Sequence, residues 1–200
     1  PIAAPSANKF GRPSPTTADH VLHDLSGAID AVLDAGATPM GVESTILDMT
    51  TDPPTLLRPG GVPREAIEAL IGEVRVLGEA HREGEPLPAP GLSARHYAPS
   101  AKVVLCAPLP EAFYGALKDA LSRYAFVGAM RPNEWRLPDS THLQVFEWGA
   151  WGDWQTLAQR LFLGLRTLEA AGVHAIVCPL PPDEGLARAL RDRLQRAAHD

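Results

Sequence analysis

Two hundred residues suit one large domain or two modest ones. Apolar residues make up 45% of the chain and charged residues 21%, close to globular averages, which argues against disorder outside short linkers. The formal net charge of -6 argues against a broad nucleic-acid-binding face, which would show clustered Lys and Arg, so any RNA contact is expected to be indirect or brief. No apolar run approaches the ~18 residues of a membrane span and no signal peptide is visible, so a cytoplasmic location is expected. The only cysteines, Cys106 and Cys178, sit in VVLCAP and AIVCPL with no ligand-spaced partner, and are expected as buried, reduced core residues.

Residues 1–13 are rich in Pro, Gly and Ser and predict a loop; the start, PIAAPSAN, reads as though entered in mid-domain. Ser14, Pro15, Thr16 and Thr17 offer caps to a helix carrying Val21, Leu22 and Leu25, with Pro15 or Thr17 as its first residue and Thr16–Asp19 as a weak capping box. AIDAVLDAG alternates and stops at Gly36, which predicts a short strand. MGVESTILDM and TLLRPG flank the turn residues Thr50 to Pro54, which predicts a hairpin. A turn centred near Asp52 sets Ile46 opposite Arg58 and Ser44 opposite Gly60, so polar groups converge at one end of the ribbon. Pro63 then opens a helix that Gly72 stops.

Residues 79–101 hold four prolines and almost no aliphatic periodicity, the composition of an extended linker. After it, AKVVLCAP, YAFVGAM, HLQVFEW and VHAIVCPL predict strands. EAFYGALKDALSRY, TLAQRLFLGLRTLEAAG and GLARALRDRLQRAA predict helices. Alternating strands and helices imply an open, largely parallel α/β sheet, and this half could fold independently.

Four constellations could carry chemistry, and each has a plainer reading. Ser6 and Asn8, two apart on an extended loop, share a side and offer a hydroxyl and an amide to phosphate oxygens or hydrated Mg²⁺; an ordinary Asx turn would use the same residues. Ser44 and Arg58 with Gly60–Gly61 make an anion site where backbone lets a ligand approach, or a hairpin with a surface arginine. No GxxxxGK[ST] run is present, which excludes a Walker-type site. Arg95, His96 and Tyr97 are concentrated in a linker with no core to serve, either as a functional cluster or as a tyrosine anchor onto a neighbouring domain. His96 lacks a partner at metal spacing. Trp148, Trp151 and Trp154 read as rings covering a helix start and packing on the sheet rather than as a binding strip.

Taken in order and at these separations, PSANKFGRPSPTTADHV, GVESTILDMTTDPPTLLRPGG and PGLSARHYAP resemble the YrdC-type threonylcarbamoyl-AMP synthases in their long, Sua-type form with an added C-terminal domain. The tail from AQRLFLGL onward is similar to that added domain. The resemblance implies an α/β fold in three parts. Residues 1–78 would be the C-terminal portion of a YrdC-like twisted sheet domain, 79–101 a proline-rich linker, and 102–200 a small Rossmann-like α/β domain.

It also implies a reaction in which L-threonine, bicarbonate and ATP give L-threonylcarbamoyl-AMP and pyrophosphate, with Mg²⁺ accompanying the nucleotide. A separate transferase machinery would carry the product to tRNA. By resemblance, Ser6, Asn8 and Arg58 would hold nucleotide phosphate or its Mg²⁺, Ser44 would line the pocket where threonine meets the triphosphate, and Arg95, His96 and Tyr97 would form a linker lid. A homodimer is compatible with the family. A carbamate attacking an α-phosphate needs alignment, charge neutralisation and exclusion of water more than a strong base. Three departures stand out: the family's Lys-x-Arg element, which precedes PSAN, is absent from residues 1–200; Leu92 and Ser93-Ala94 replace the usual Met and a more basic, aromatic pair; and Asp34-Ala35-Gly36 stands for Asp-Gly-Gly. The other class compatible with these residues is a non-catalytic RNA- or nucleotide-binding module reusing the same sheet.

Overall fold

The computed structural model describes residue 1, residues 3–77 and residues 89–199. Helix α1 (Ala18–Leu25) starts where Thr17 caps it: the Thr17 hydroxyl accepts from the His20 amide at 3.3 Å. The predicted Thr16–Asp19 box is not formed. Thr17 lies outside the helix as its cap, and His20 in place of Asp19 reaches back, its Nδ1 accepting from the amide of Thr16, the residue before the cap, at 3.1 Å.

Strands β1 (Ile46–Asp48) and β2 (Thr55–Arg58) pair antiparallel with Ile46 opposite Arg58, as the hairpin geometry requires. A bulge after Ile46 then shifts the register, so Leu47 faces Leu56. Helix α2 (Arg64–Ile71) follows Pro63, which is its cap rather than its first residue, and ends at Gly72 with φ 87°. Strand β3 (Arg75–Val76), too short for a periodic signal, adds parallel to β2.

The strand predicted in AIDAVLDAG does not form. Only a Ser26–Ile29 bridge appears there, Leu33 is 97% exposed, and among the described residues no strand runs alongside to pair with it. Alternation alone cannot hold an unpaired strand. Asp34-Ala35-Gly36 still turns, with the Gly36 amide bonded to Asp34 Oδ1 at 2.8 Å.

The second sheet consists of β4 (Lys102–Cys106), β5 (Val127–Pro132), β6 (Leu143–Gly149) and β7 (Ala175–Pro179), in the order β4-β7-β5-β6 and parallel throughout. Helix α3 (Pro110–Arg123) covers one face, where Phe113 and Leu117 meet Val127, Ala129, Trp135 and Val177. Helices α4 (Trp154–Ala170) and α5 (Ala187–Ala198) cover the other, where Leu157, Leu161, Phe162 and Leu165 pack with Met130, Ile176, Leu190 and Leu194. The fold is therefore α/β, with a parallel sheet buried on both faces, which is why its strands read as nearly continuous apolar runs.

Trp148 is buried and donates its indole N–H to Leu157 O at 2.8 Å; Trp151 and Trp154 pack edge-on at the start of α4. Cys178 is buried as expected, whereas Cys106 is only half-buried, because β4 is an edge strand. Among the described residues, no helix is long and apolar enough to cross a membrane.

Candidate active site

The loop of residues 1–13 does not stay extended. Ala7 has φ 56°, in the left-handed region, so Ser6 and Asn8 do not share a side by strand alternation. Ser6 is exposed. Asn8 is half-buried, and its Nδ2 donates to Lys9 O and Arg12 O while its Oδ1 is buried without a partner. Strain at a non-glycine residue beside an unsatisfied acceptor is the pattern of a binding loop.

Arg58 is not the surface arginine of the plainer reading: it is 8% exposed. Its Nε and Nη2 donate to Ser44 O at 3.2 and 2.9 Å, and Nη2 also reaches Ser44 Oγ at 3.3 Å. Nη1 donates to Pro90 O at 3.2 Å, which joins the hairpin to the linker. Gly60 permits this convergence, since a Cβ there would overlap the backbone of Ser44 and Thr45.

The linker reading needs one correction and one restriction. Residues 79–88 lie outside the described residues. Residues 89–101 are not a coreless tether: Tyr97 is 1% exposed and belongs to the core of the second sheet, 5.6 Å from the Phe162 ring. Its hydroxyl is buried without a partner beside Gly91, whose φ of 80° brings the chain past the phenol with no room for a Cβ. His96 stands edge-on between Phe10 and Tyr97, with its Nδ1 buried and unpartnered. Burial pushes the His96 pKa below the ordinary 6.5, so the ring is neutral at pH 7. The Ala98 amide donates to Gly11 O at 2.8 Å, which ties the linker to the first loop.

Hydrogen bonds thus join Ser44 and Arg58 to the linker at Pro90, and ring contacts join His96 to Tyr97 and to Phe10 of the first loop, while Asn8 bonds within that loop. Ser6 and Arg95 are exposed; Arg95 lines a cavity with Phe10 and Arg12 and donates to His199 O at 3.4 Å.

Residues that sequence reasoning missed frame the site. Glu43 accepts from the Ser14 hydroxyl and, at 2.7 Å, from Nε of the fully buried Arg193 on α5. Burial alone would raise the Glu43 pKa, but the Arg193 charge and these hydrogen bonds hold it below the ordinary carboxylate value. Arg166 on α4 grips Asp24 with both ends of its fork, at 3.1 and 2.6 Å, and donates to Pro13 O and Ser14 O. The signal was available: Arg166 follows Phe162 by four, and Arg193 follows Leu190 by three, so both charges lie on apolar helix faces. Cys106 and Cys178 are excluded as nucleophiles, since burial pushes the Cys106 thiol up to about 12 and Cys178 well above its usual range.

The family model described as threonylcarbamoyl-AMP synthase, C-terminal domain, matches residues 62–199, and a model described as telomere recombination matches residues 1–60. The chain belongs to the threonylcarbamoyl-AMP synthase family. The synthase of Bacillus subtilis is 39% identical over 99% of the chain and 57% of its own length. The synthase of Pyrococcus abyssi is 37% identical over 99% of the chain and 58% of its length. A crystal structure of the P. abyssi Sua5 protein complexed with L-threonine superposes with a TM-score of 0.84 at 37% identity, over 97% of this chain and 56% of that one. The chain thus spans a little over half the length of the synthases it matches.

Proposed function

We propose that this chain supplies a phosphate-facing wall and a lid to a threonylcarbamoyl-AMP synthase active site. The amine of L-threonine and bicarbonate would form a carbamate, a C–N bond being made as a C–O bond breaks and water leaves, and a carbamate oxygen would attack the α-phosphorus of ATP. A new O–P bond forms as the bond to the β-phosphate oxygen breaks, and the electron pair leaves with pyrophosphate. The observation that carries this reading is the set of buried polar atoms without partners. Among the described residues there are four, and three of them are Asn8 Oδ1, His96 Nδ1 and Tyr97 OH. Each such group costs about 1–3 kcal/mol, so two on the adjacent residues His96 and Tyr97 and a third in the Asn8 loop support a ligand-binding role for these segments.

Ser6 and Asn8 would then meet the triphosphate or the Mg²⁺ that arrives with ATP as substrate. The Asn8 Oδ1 suits a hydrated cation, and no group of three His, Cys, Asp or Glu able to hold a resident metal occurs among the described residues. Arg58 would turn its Nη1 from Pro90 O to a phosphate oxygen while its other donors keep Ser44 in place. Ser44 would line the junction of threonine and triphosphate. Arg95, His96 and Tyr97 would close over the site and exclude water from a labile carbamate and mixed anhydride.

A solved variant of the P. abyssi protein, with a TM-score of 0.84, replaces an adjacent histidine and tyrosine by alanine, and the sole His–Tyr dipeptide here is His96–Tyr97. The 79–101 linker, the small Rossmann-like 102–200 domain, a cytoplasmic location and transfer of the product to tRNA by separate machinery belong to the same reading.

The test joins this chain to the N-terminal segment of the Bacillus subtilis relative and measures pyrophosphate release, which is expected to require threonine and bicarbonate together. ATP binding without release would instead favour a nucleotide-binding module, and release without either co-substrate would mean ATP hydrolysis in place of transfer to a carbamate. In the active form, Arg58→Ala is expected to weaken ATP binding by about 1.5–3 kcal/mol, the range for a hydrogen bond to a charged group.

A further inference from the structure

We propose that Arg193 is a positioning residue of this site, through which helix α5 fixes the phosphate wall and the lid relative to one another. The proposal rests on the reading above for what the site binds, but the contacts themselves are independent of it. Arg193 is 1% exposed. Its Nε donates to Glu43 at 2.7 Å, its Nη2 to Pro59 O at 3.0 Å and its Nη1 to Asp192 at 2.5 Å, while the guanidinium carbon lies 5.0 Å from the Tyr97 ring. Glu43 precedes Ser44 and Pro59 follows Arg58, so one side chain touches a neighbour of each wall residue and the lid tyrosine itself. The guanidinium reaches the three partners from three separate nitrogens, whereas an ammonium would have to do so from a single atom.

Stability alone does not call for an arginine here. Well-packed apolar residues commonly replace a buried ion pair at no loss, so its use is explained by geometry that an apolar side chain could not impose. A second arm completes the device. Asp192 also accepts from Arg196 at 3.0 Å, and Arg196 Nη1 donates to Leu92 O and Ser93 O, each at 2.8 Å. The wall is held by Arg193, the lid segment by Arg196, and Asp192 joins the two. Displacing the lid would break the Arg196 bonds together with the Arg58–Pro90 and Arg193–Tyr97 contacts, whereas the Arg193 bonds to Glu43 and Pro59 would keep the wall set.

The experiment is hydrogen exchange by mass spectrometry on this chain without nucleotide, comparing wild type with Arg193→Met, Arg193→Lys and Glu43→Gln. Loss of a hydrogen bond to a charged group should speed local exchange about tenfold or more, so Arg193→Met is expected to accelerate residues 41–45, 60–62 and 96–98 by that factor, with β5 and β7 within about threefold of wild type. Arg193→Lys should restore 41–45, where one ammonium can still meet Glu43, but not 60–62. Unchanged exchange in the three segments overturns the proposal. So does uniform acceleration that includes β5 and β7, which would make Arg193 a general stabiliser. If Arg193→Met does not fold, Glu43→Gln decides, since it leaves α5 intact: it should loosen 41–45 and 60–62, and failure to do so overturns the proposal equally. A parallel MgATP titration separates the two readings. Absence of ATP binding by wild type counts against the functional reading and leaves the exchange contrast standing.

Discussion

The two sheets bury different kinds of surface. Around β4-β7-β5-β6 the interior is aliphatic and aromatic on both faces, from Phe113 and Val127 to Leu161 and Ile176. Around β1-β2-β3 many aliphatic groups face outward, with Leu70 87%, Met49 62% and Val62 53% exposed, while Asp24, Thr55 and Arg58 are inside. The first region is fastened by charge. Its loops are held by two arginines that the helices of the second region supply, Arg166 and Arg193. One region is a scaffold with its own core; the other is fastened onto it through buried ion pairs.

The sharpest way to break this comparison is to separate the regions. A chain beginning at Ala89 is expected to keep cooperative unfolding in urea, followed by tryptophan emission, because all four tryptophans lie between 135 and 154. Residues 1–77 alone are expected to show no cooperative transition by circular dichroism. Next in size is the seam. Asp24→Asn removes one partner of a pair whose side chains are 7% and 6% exposed, and such a loss typically weakens docking by about 3–5 kcal/mol. Limited trypsin digestion should then release residues 1–77 while the tryptophan emission stays native.

The scaffold gives the complementary measurement. Leu161→Ala should lower global stability by about 2–5 kcal/mol in urea, as for any buried leucine, whereas exposed Leu70→Ser should stay within about 0.5 kcal/mol. Acid should separate the regions more gently. Burial raises the carboxyl pKa of both Asp24 and Glu43, but Arg166 and Arg193 outweigh it and leave each below its ordinary value. Their contribution is therefore fully present above the ordinary carboxylate range and is lost as pH falls through the lowered folded values, below about pH 4. Pepsin at pH 3 should nick residues 1–77 while the tryptophan signal persists. Simultaneous loss of both would mean that the scaffold is no more acid-resistant than the seam.

The same contrast explains what the sequence disclosed. Elements of the second sheet were legible because each buries a whole face or stripe, which periodicity reports. The pairing of Ile46 with Arg58 was legible because a short turn fixes it. The bulge after Ile46 and the two-residue β3 were not, since neither leaves a periodic mark. AIDAVLDAG misled because alternation reports a face, not a partner. Asn8, Ser44 and Arg58 stood out as polar groups crowded between glycines. Asp24, Arg166 and Arg193, and the ion pair that Glu43 makes, stayed hidden because the paired residues lie more than 140 apart, and a charged helix such as α5 first reads as solvated. An arginine on the apolar stripe was the one local hint.

Gly41 carries a consequence for movement. It is buried with φ 68°, and a Cβ at this position would overlap the main chain of Ala158 and Gln159 on α4. Backbone here bears on backbone, with no side chain between to yield. A contact of that kind resists sliding but tolerates rolling, so a swing of the first region that keeps this contact would turn about it as a fulcrum. The wall at Glu43, two residues from the pivot, would then move least, and the far end of the hairpin at Asp52 would sweep furthest.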